Sequence, residues 1–197
     1  MTPGIVLAAG SSTRMGRAKA LLASGDRPFV RRILDTLEAG GIANRLVVVR
    51  PGDRALVATI EAAGARAISN PRADEGQLSS LIAGLDAADT DGVDAVLVTL
   101  VDVPLLASST VRDLLARAAM SSAPIVRAVY RGRHGHPVIF KRATFAALRG
   151  ADPAVGAKAV VRANVVEDVE IDDPGVVEDV DTPSDYERLF GSTPPIG

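Results

Sequence analysis

Three short apolar runs, Ile5 to Ala9, Leu46 to Val49 and Ala95 to Leu100 (the last with Thr99 as its one polar residue), constrain the fold more than any other feature of this chain. Each has the length and β-branched content of a strand buried on both faces, which is how the strands of a parallel sheet read. Segments of helical period lie between them. In residues 29–37, Val30, Ile33, Leu34 and Leu37 share one helix face, and Gly40-Gly41 follows as a stop signal. Residues 54–63 repeat the pattern with Leu56, Val57 and Ile60 before Gly64; residues 79–88 and 109–120 are two further helices, the second with Ser108 or Ser109 as its cap. This alternation predicts an α/β fold, a single three-layer Rossmann-like domain over residues 1–191 with a mostly parallel sheet, and a short tail over 192–197. In the second half, residues 125–130 and 137–140 read as strands joined by the basic stretch 131–135. Residues 141–149 and 155–163 read as helical, 165–171 as a half-buried strand and 185–190 as a closing helix. Right-handed crossovers place the ligand crevice of such a sheet at the carboxyl ends of its strands.

Composition removes several classes of function. The chain has no cysteine, which excludes disulfides, thiolate metal sites and cysteine nucleophiles. Its net charge of -2 and its 3% aromatic content argue against a nucleic-acid surface or a base-stacking platform. No run approaches the roughly 20 apolar residues of a membrane span. Met1-Thr2-Pro3-Gly4 enters the first apolar run with no charged leader, so a cytoplasmic location is expected.

The first apolar run passes directly into Leu7-Ala8-Ala9-Gly10-Ser11-Ser12-Thr13-Arg14-Met15-Gly16-Arg17-Ala18-Lys19. Small residues let backbone approach a ligand closely, and successive N–H groups form an anion-binding concavity. Arg14 and Lys19 add fixed positive charge, suited to phosphate oxygens. The glycine spacing fits neither the dinucleotide fingerprint nor the Walker loop. Taken alone, an ordinary strand-to-helix turn with exposed basic residues remains the alternative.

Two acidic elements follow. Asp102, in Leu100-Val101-Asp102-Val103-Pro104, ends the third apolar run, where it either caps a helix or holds a metal. Asp179-Val180-Asp181-Thr182-Pro183-Ser184-Asp185 offers a second carboxylate together with Thr182 or Asp185 as helix caps. In Asn70-Pro71 through Gly76 to Ser79-Ser80, a serine at the helix start is a cap or a ligand donor.

The loop, the Asp-x-Pro and the Asp-Thr-Pro resemble, in order, the signature motifs of the nucleotidyltransferases. The resemblance spans residues 5–190. It implies a nucleotide-diphospho-sugar-transferase-like fold, with Leu7, Ala8, Ala9, Gly10, Ser11, Ser12, Arg14, Lys19, Gly76, Ser80 and Asp102 around a nucleoside triphosphate. Arg14, Lys19 and Asp102 take the catalytic roles, and Asp102 and Asp181 hold Mg²⁺. Gly135-His136-Pro137 resembles the cytidylyltransferases that finish the molybdenum cofactor, which implies a molybdopterin-type acceptor beside His136, Arg131, Arg133 and Lys158. Ala9 in place of a second glycine resembles the cytidylyl branch and favours CTP. A recipient molybdoenzyme or chaperone is a further partner that such a product implies, whereas nucleic acid and membrane are not. The alternatives are a guanylyltransferase on the same acceptor, a nucleotidyltransferase for another small phosphate, and a non-catalytic carrier of the cofactor.

Overall fold

A computed structural model describes residues 1–10, 19–25 and 27–193. Three parallel apolar strands, β1 (Gly4–Leu7), β4 (Arg45–Val49) and β6 (Ala95–Leu100), form the centre of a seven-stranded sheet of order β5-β4-β1-β6-β8-β7-β9. β5 (Arg66–Ser69) extends the parallel half. β8 (Arg133–Lys141) runs antiparallel to both β6 and β7 (Ile125–Tyr130), and β9 (Val166–Glu170) returns parallel to β7. A small antiparallel pair, β2 (Ala23–Ser24) with β3 (Arg27–Pro28), lies outside the sheet.

Alternation along the buried strands divides the core between two faces. Val6, Val47, Val49 and Leu97 pack with α1 (Phe29–Ala39), α2 (Arg54–Ala62) and α4 (Ser108–Met120). Ile5, Leu46, Val48 and Val96 pack with α3 (Gln77–Ala88), α5 (Phe145–Arg149) and α6 (Ala157–Ala163). Together with the sheet, these helices make the expected three layers. α3 lies so close to β1 that a Cβ on Gly84 would come within 2.5 Å of the Ile5 side chain. The last helix, α7 (Pro183–Phe190), seats Tyr186 and Phe190 on Phe29 with ring centroids 6.2 and 5.7 Å away, and the Tyr186 hydroxyl donates to the Ala23 carbonyl. That cluster ties the chain's end to the segment just after the glycine loop.

Several boundaries differ from the sequence reading. The basic stretch 131–135 is mostly strand: Val129 pairs with His134 and Tyr130 with Arg133, leaving a tight turn at Arg131-Gly132 with φ of 48° and 74°. Residues 141–149 are not one helix, because β8 runs on to Lys141 and a 3-10 turn at Arg142–Thr144 precedes α5. Neither Ser108 nor Ser109 caps α4. Ala107 is the cap residue, and its N–H is satisfied by the distant Asp173 carboxylate at 2.9 Å. Ser79 and Ser80 do not cap α3 either; Gly76 does, without a side chain, while both hydroxyls accept from the buried Asn70 amide at 2.9 and 3.0 Å.

Candidate active site

Parallel strands deliver their carboxyl ends to one edge of the sheet, and the candidate residues gather there. Ala8-Ala9-Gly10 continues β1, Arg50 follows β4, and Asp102 follows β6. The edge is held by backbone bonds: Ala8 N–H to the Val48 carbonyl at 2.9 Å and Val101 N–H to the Leu7 carbonyl at 3.2 Å. Leu7 and Ala9 are buried and Gly10 is exposed. Ser11, Ser12 and Arg14 lie outside the described residues.

Asp102 caps no helix among the described residues. Its carbonyl accepts the Val180 N–H at 2.8 Å, which ties the acidic segment of residues 179–181 to the end of β6. The Lys19 ammonium lies between the two carboxylates, donating to Asp181 Oδ1 and standing 3.9 Å from Asp102 Oδ2. One residue further on, Thr182 and Asp185 form a reciprocal capping box on α7 with Pro183 in its first turn. The segment therefore does both jobs that its residues offered, with Asp181 at the site and Thr182 with Asp185 at the helix.

Burial pushes the Asp102 carboxyl up to about 6, reinforced by Asp181 and Asp179 and opposed by Lys19. Its Oδ1 is buried without a hydrogen-bond partner among the described residues. A buried, unsatisfied carboxylate oxygen is costly, and a hard divalent cation satisfies it. The donor set fits such an ion: two carboxylates supply hard oxygen ligands and leave coordination positions for phosphate and water.

The segment before α3 closes another side. Gly76 is exposed, whereas Ser80 is buried, its oxygen accepting from the Asn70 amide at 3.0 Å. Arg50, which sequence reasoning missed, joins this segment to the glycine loop: Nε donates to the Ala9 carbonyl at 2.9 Å and Nη2 to Asp74 at 2.7 Å. The only available signal was an arginine directly after a buried parallel strand.

Beside this edge opens a cleft of about 790 Å³. Leu7, Leu78, Val98 and Phe140 belong to its apolar lining, and its charged or titratable lining groups are Arg127, His134, His136, Lys158 and Arg162. Among the described residues, no carboxylate lines it. Of the expected acceptor residues, His136 and Lys158 line the cleft, but Arg131 and Arg133 are exposed at the hairpin turn, outside its lining. The hairpin is tighter than expected and turns them away, with the Arg131 guanidinium over the Tyr130 ring. Arg127 and His134 both face Asp168, at 2.8 and 3.4 Å. Burial holds the His136 imidazole below the usual histidine range, so it is neutral at pH 7. A Cβ on Gly135 would lie 2.0 Å from the Val176 carbonyl, so only glycine lets the strand pass there.

This sheet, with a glycine loop, a lysine and two aspartates at its carboxyl edge, defines a nucleotidyltransferase. Residues 4–169 match the MobA-like NTP transferase domain, and the chain belongs to that family. It is 27% identical over 200 residues to the purine catabolism protein PucB of Bacillus subtilis, with 94% of each chain covered. It superposes on Rv0371c of Mycobacterium tuberculosis with a TM-score of 0.80 at 25% identity, covering 98% of this chain and 100% of that one. The manganese complex of Rv0371c gives 0.80 at 27% identity over 98% and 99% of the two chains. Molybdopterin-guanine dinucleotide biosynthesis protein A of Archaeoglobus fulgidus shares the fold, with a TM-score of 0.73 at 13% identity over 96% and 97%. No helix among the described residues is long and apolar enough to cross a membrane.

Proposed function

We propose that this chain transfers CMP from CTP to a molybdopterin-type acceptor, with Mg²⁺ at Asp102 and Asp181. The observation that carries this reading is the meeting of Lys19, Asp102 and Asp181 at the carboxyl edge of the sheet, next to a cleft whose charged lining groups, among the described residues, are cationic. An acceptor phosphate oxygen forms a bond to the α-phosphorus, and the α–β phosphoanhydride bond breaks to release pyrophosphate. The attacker is already an anion, so the protein need supply no nucleophile of its own. Its residues align the reactants and balance charge, as in other phosphoryl transfers. The cation, when bound, offsets the negative charge of the triphosphate. Lys19 supplies a further positive charge at the same place, with Arg14 as a second by resemblance. His136 and Lys158 hold the acceptor, with neutral His136 offering hydrogen bonds rather than charge. The resemblance of Gly135-His136-Pro137 to the cytidylyltransferases of the molybdenum cofactor supports this acceptor class, and Ala9 supports the cytidylyl over the guanylyl branch.

A thermal-shift titration with CTP, GTP, ATP and UTP, each with and without Mg²⁺, tests the nucleotide. A ligand at about 100 times its Kd stabilises the native state by about 2.7 kcal/mol, or roughly 5 to 11 °C for a chain of this size. A Mg²⁺-dependent shift with CTP alone is expected, followed by pyrophosphate release when molybdopterin is added. A shift with GTP alone moves the protein to the guanylyl branch. A CTP shift with no turnover leaves the carrier reading in its place.

A further inference from the structure

Arg50 joins the start of the glycine loop to the segment before α3. Its Nε–H donates to the Ala9 carbonyl at 2.9 Å, and its Nη2 donates to Asp74 Oδ1 at 2.7 Å. The two contacts use different donors of one planar guanidinium, so they fix the direction of the head as well as its distance. Its side chain is 33% exposed, whereas that of Asp74 is 86% exposed. The pair is thus anchored at the Ala9 end and open to water at the Asp74 end.

The consequence lies in the peptide after Ala9. A trans peptide is planar, and its C=O and N–H point in opposite directions. Holding the Ala9 carbonyl toward Arg50 therefore aims the Gly10 N–H away from Arg50. Among the described residues, nothing lies within 4 Å of the place where a Gly10 Cβ would stand. At its other end Arg50 holds Asp74, two residues before Gly76 and the start of α3.

We propose that Arg50 is a positioning residue for the nucleotide, locking the Ala9–Gly10 peptide and the turn before α3 into one pre-formed unit. This rests on the assignment of the glycine loop to the nucleotide. The role is distinct from charge neutralisation at the phosphates, because both contacts of Arg50 are to protein. Pre-organisation of this kind acts on nucleotide affinity and leaves the chemical step alone.

The test is steady-state kinetics of nucleotide transfer with the wild-type chain, Arg50→Ala, Arg50→Lys, Asp74→Ala and the Arg50→Ala/Asp74→Ala pair. Arg50→Ala is expected to raise the nucleotide KM about tenfold, the scale of one charge-assisted hydrogen bond, with kcat and the acceptor KM within about twofold. Arg50→Lys recovers part of the loss. Asp74→Ala shifts the nucleotide KM in the same direction but less, and the double variant matches Arg50→Ala, since the two act through one contact. An unchanged nucleotide KM in Arg50→Ala overturns the proposal, as does strict addition of the two single effects. If Arg50→Ala does not fold, Arg50→Lys and Asp74→Ala decide: a nucleotide KM that moves in neither overturns it. A wild-type chain that responds to no nucleotide is a different result, and removes the site assignment itself.

Discussion

Asp102 carries a cost that its position imposes. Its carboxyl stands near 6, above the unfolded value of 3.8, because it is taken out of water and placed beside Asp181 and Asp179. A carboxyl raised on folding costs nothing while both states are protonated. The cost grows as the pH rises from about 3.8 and is complete above about 6. Asp102→Asn keeps the shape and removes the charge. In EDTA, its melting temperature should approach the wild type's below about pH 3 and exceed it at pH 7.5 by about 6 to 12 °C, corresponding to about 3 kcal/mol. Transfer activity should fall by about two orders of magnitude in the same variant. A melting difference that does not change with pH would refute the assignment of the strain to this carboxyl. At this scale the sequence was legible where a motif names the residue: Lys19, Asp102 and Asp181 converge as the motifs imply. It was not legible for Arg50, whose partners lie 41 and 24 residues away, or for Ser80, whose oxygen is claimed by Asn70.

Among the elements, the buried parallel strands were the easiest to read because both of their faces are apolar. β5 was missed since its four residues show no unbroken apolar run, and Arg66 at its start is exposed at the sheet's edge. The cap of α4 was misplaced for a related reason. A local rule looks to the serines at the helix start, but the N–H there is satisfied by Asp173, 66 residues away in the chain. That buried carboxylate accepts from Ala107 N–H at 2.9 Å, Thr110 Oγ1 at 2.6 Å and Gly175 N–H at 2.9 Å. It thus pins the segment leading to Asp181 against the one following Asp102. Asp173→Ala strands three donors, two of them buried, and should lower stability in urea by about 2 to 4 kcal/mol with an unchanged m-value. Asp173→Asn retains one acceptor oxygen and should fall in between. A loss under about 0.5 kcal/mol in the alanine variant would mean that the junction is held elsewhere.

Across the whole molecule, the sheet order places two kinds of surface on either side of β6. On one side β1 and β4 end at the glycine loop and Arg50; on the other, the antiparallel β8 turns back past β6 and, with α6, walls the cleft. Two reactants can therefore be held by different elements, with Asp102 at the junction. Lys158 and Arg162 lie one turn apart on α6, and both line the cleft in a wall without carboxylates among the described residues. If the cleft is the acceptor side, reversing their charge must act on the acceptor alone. Lys158→Glu and Arg162→Glu should each raise the acceptor KM about tenfold, with the nucleotide KM unchanged. The effect should shrink as ionic strength rises from about 0.05 to 0.5 M, because both side chains are exposed and their interactions are screened. His136→Gln, by contrast, should change the acceptor KM with little dependence on salt, since its imidazole is held neutral by burial. Parallel increases in both the nucleotide and acceptor KM for the α6 variants would contradict this division and put the nucleotide itself in the cleft. The two axes, KM identity and salt dependence, separate those cases without requiring the acceptor's full structure.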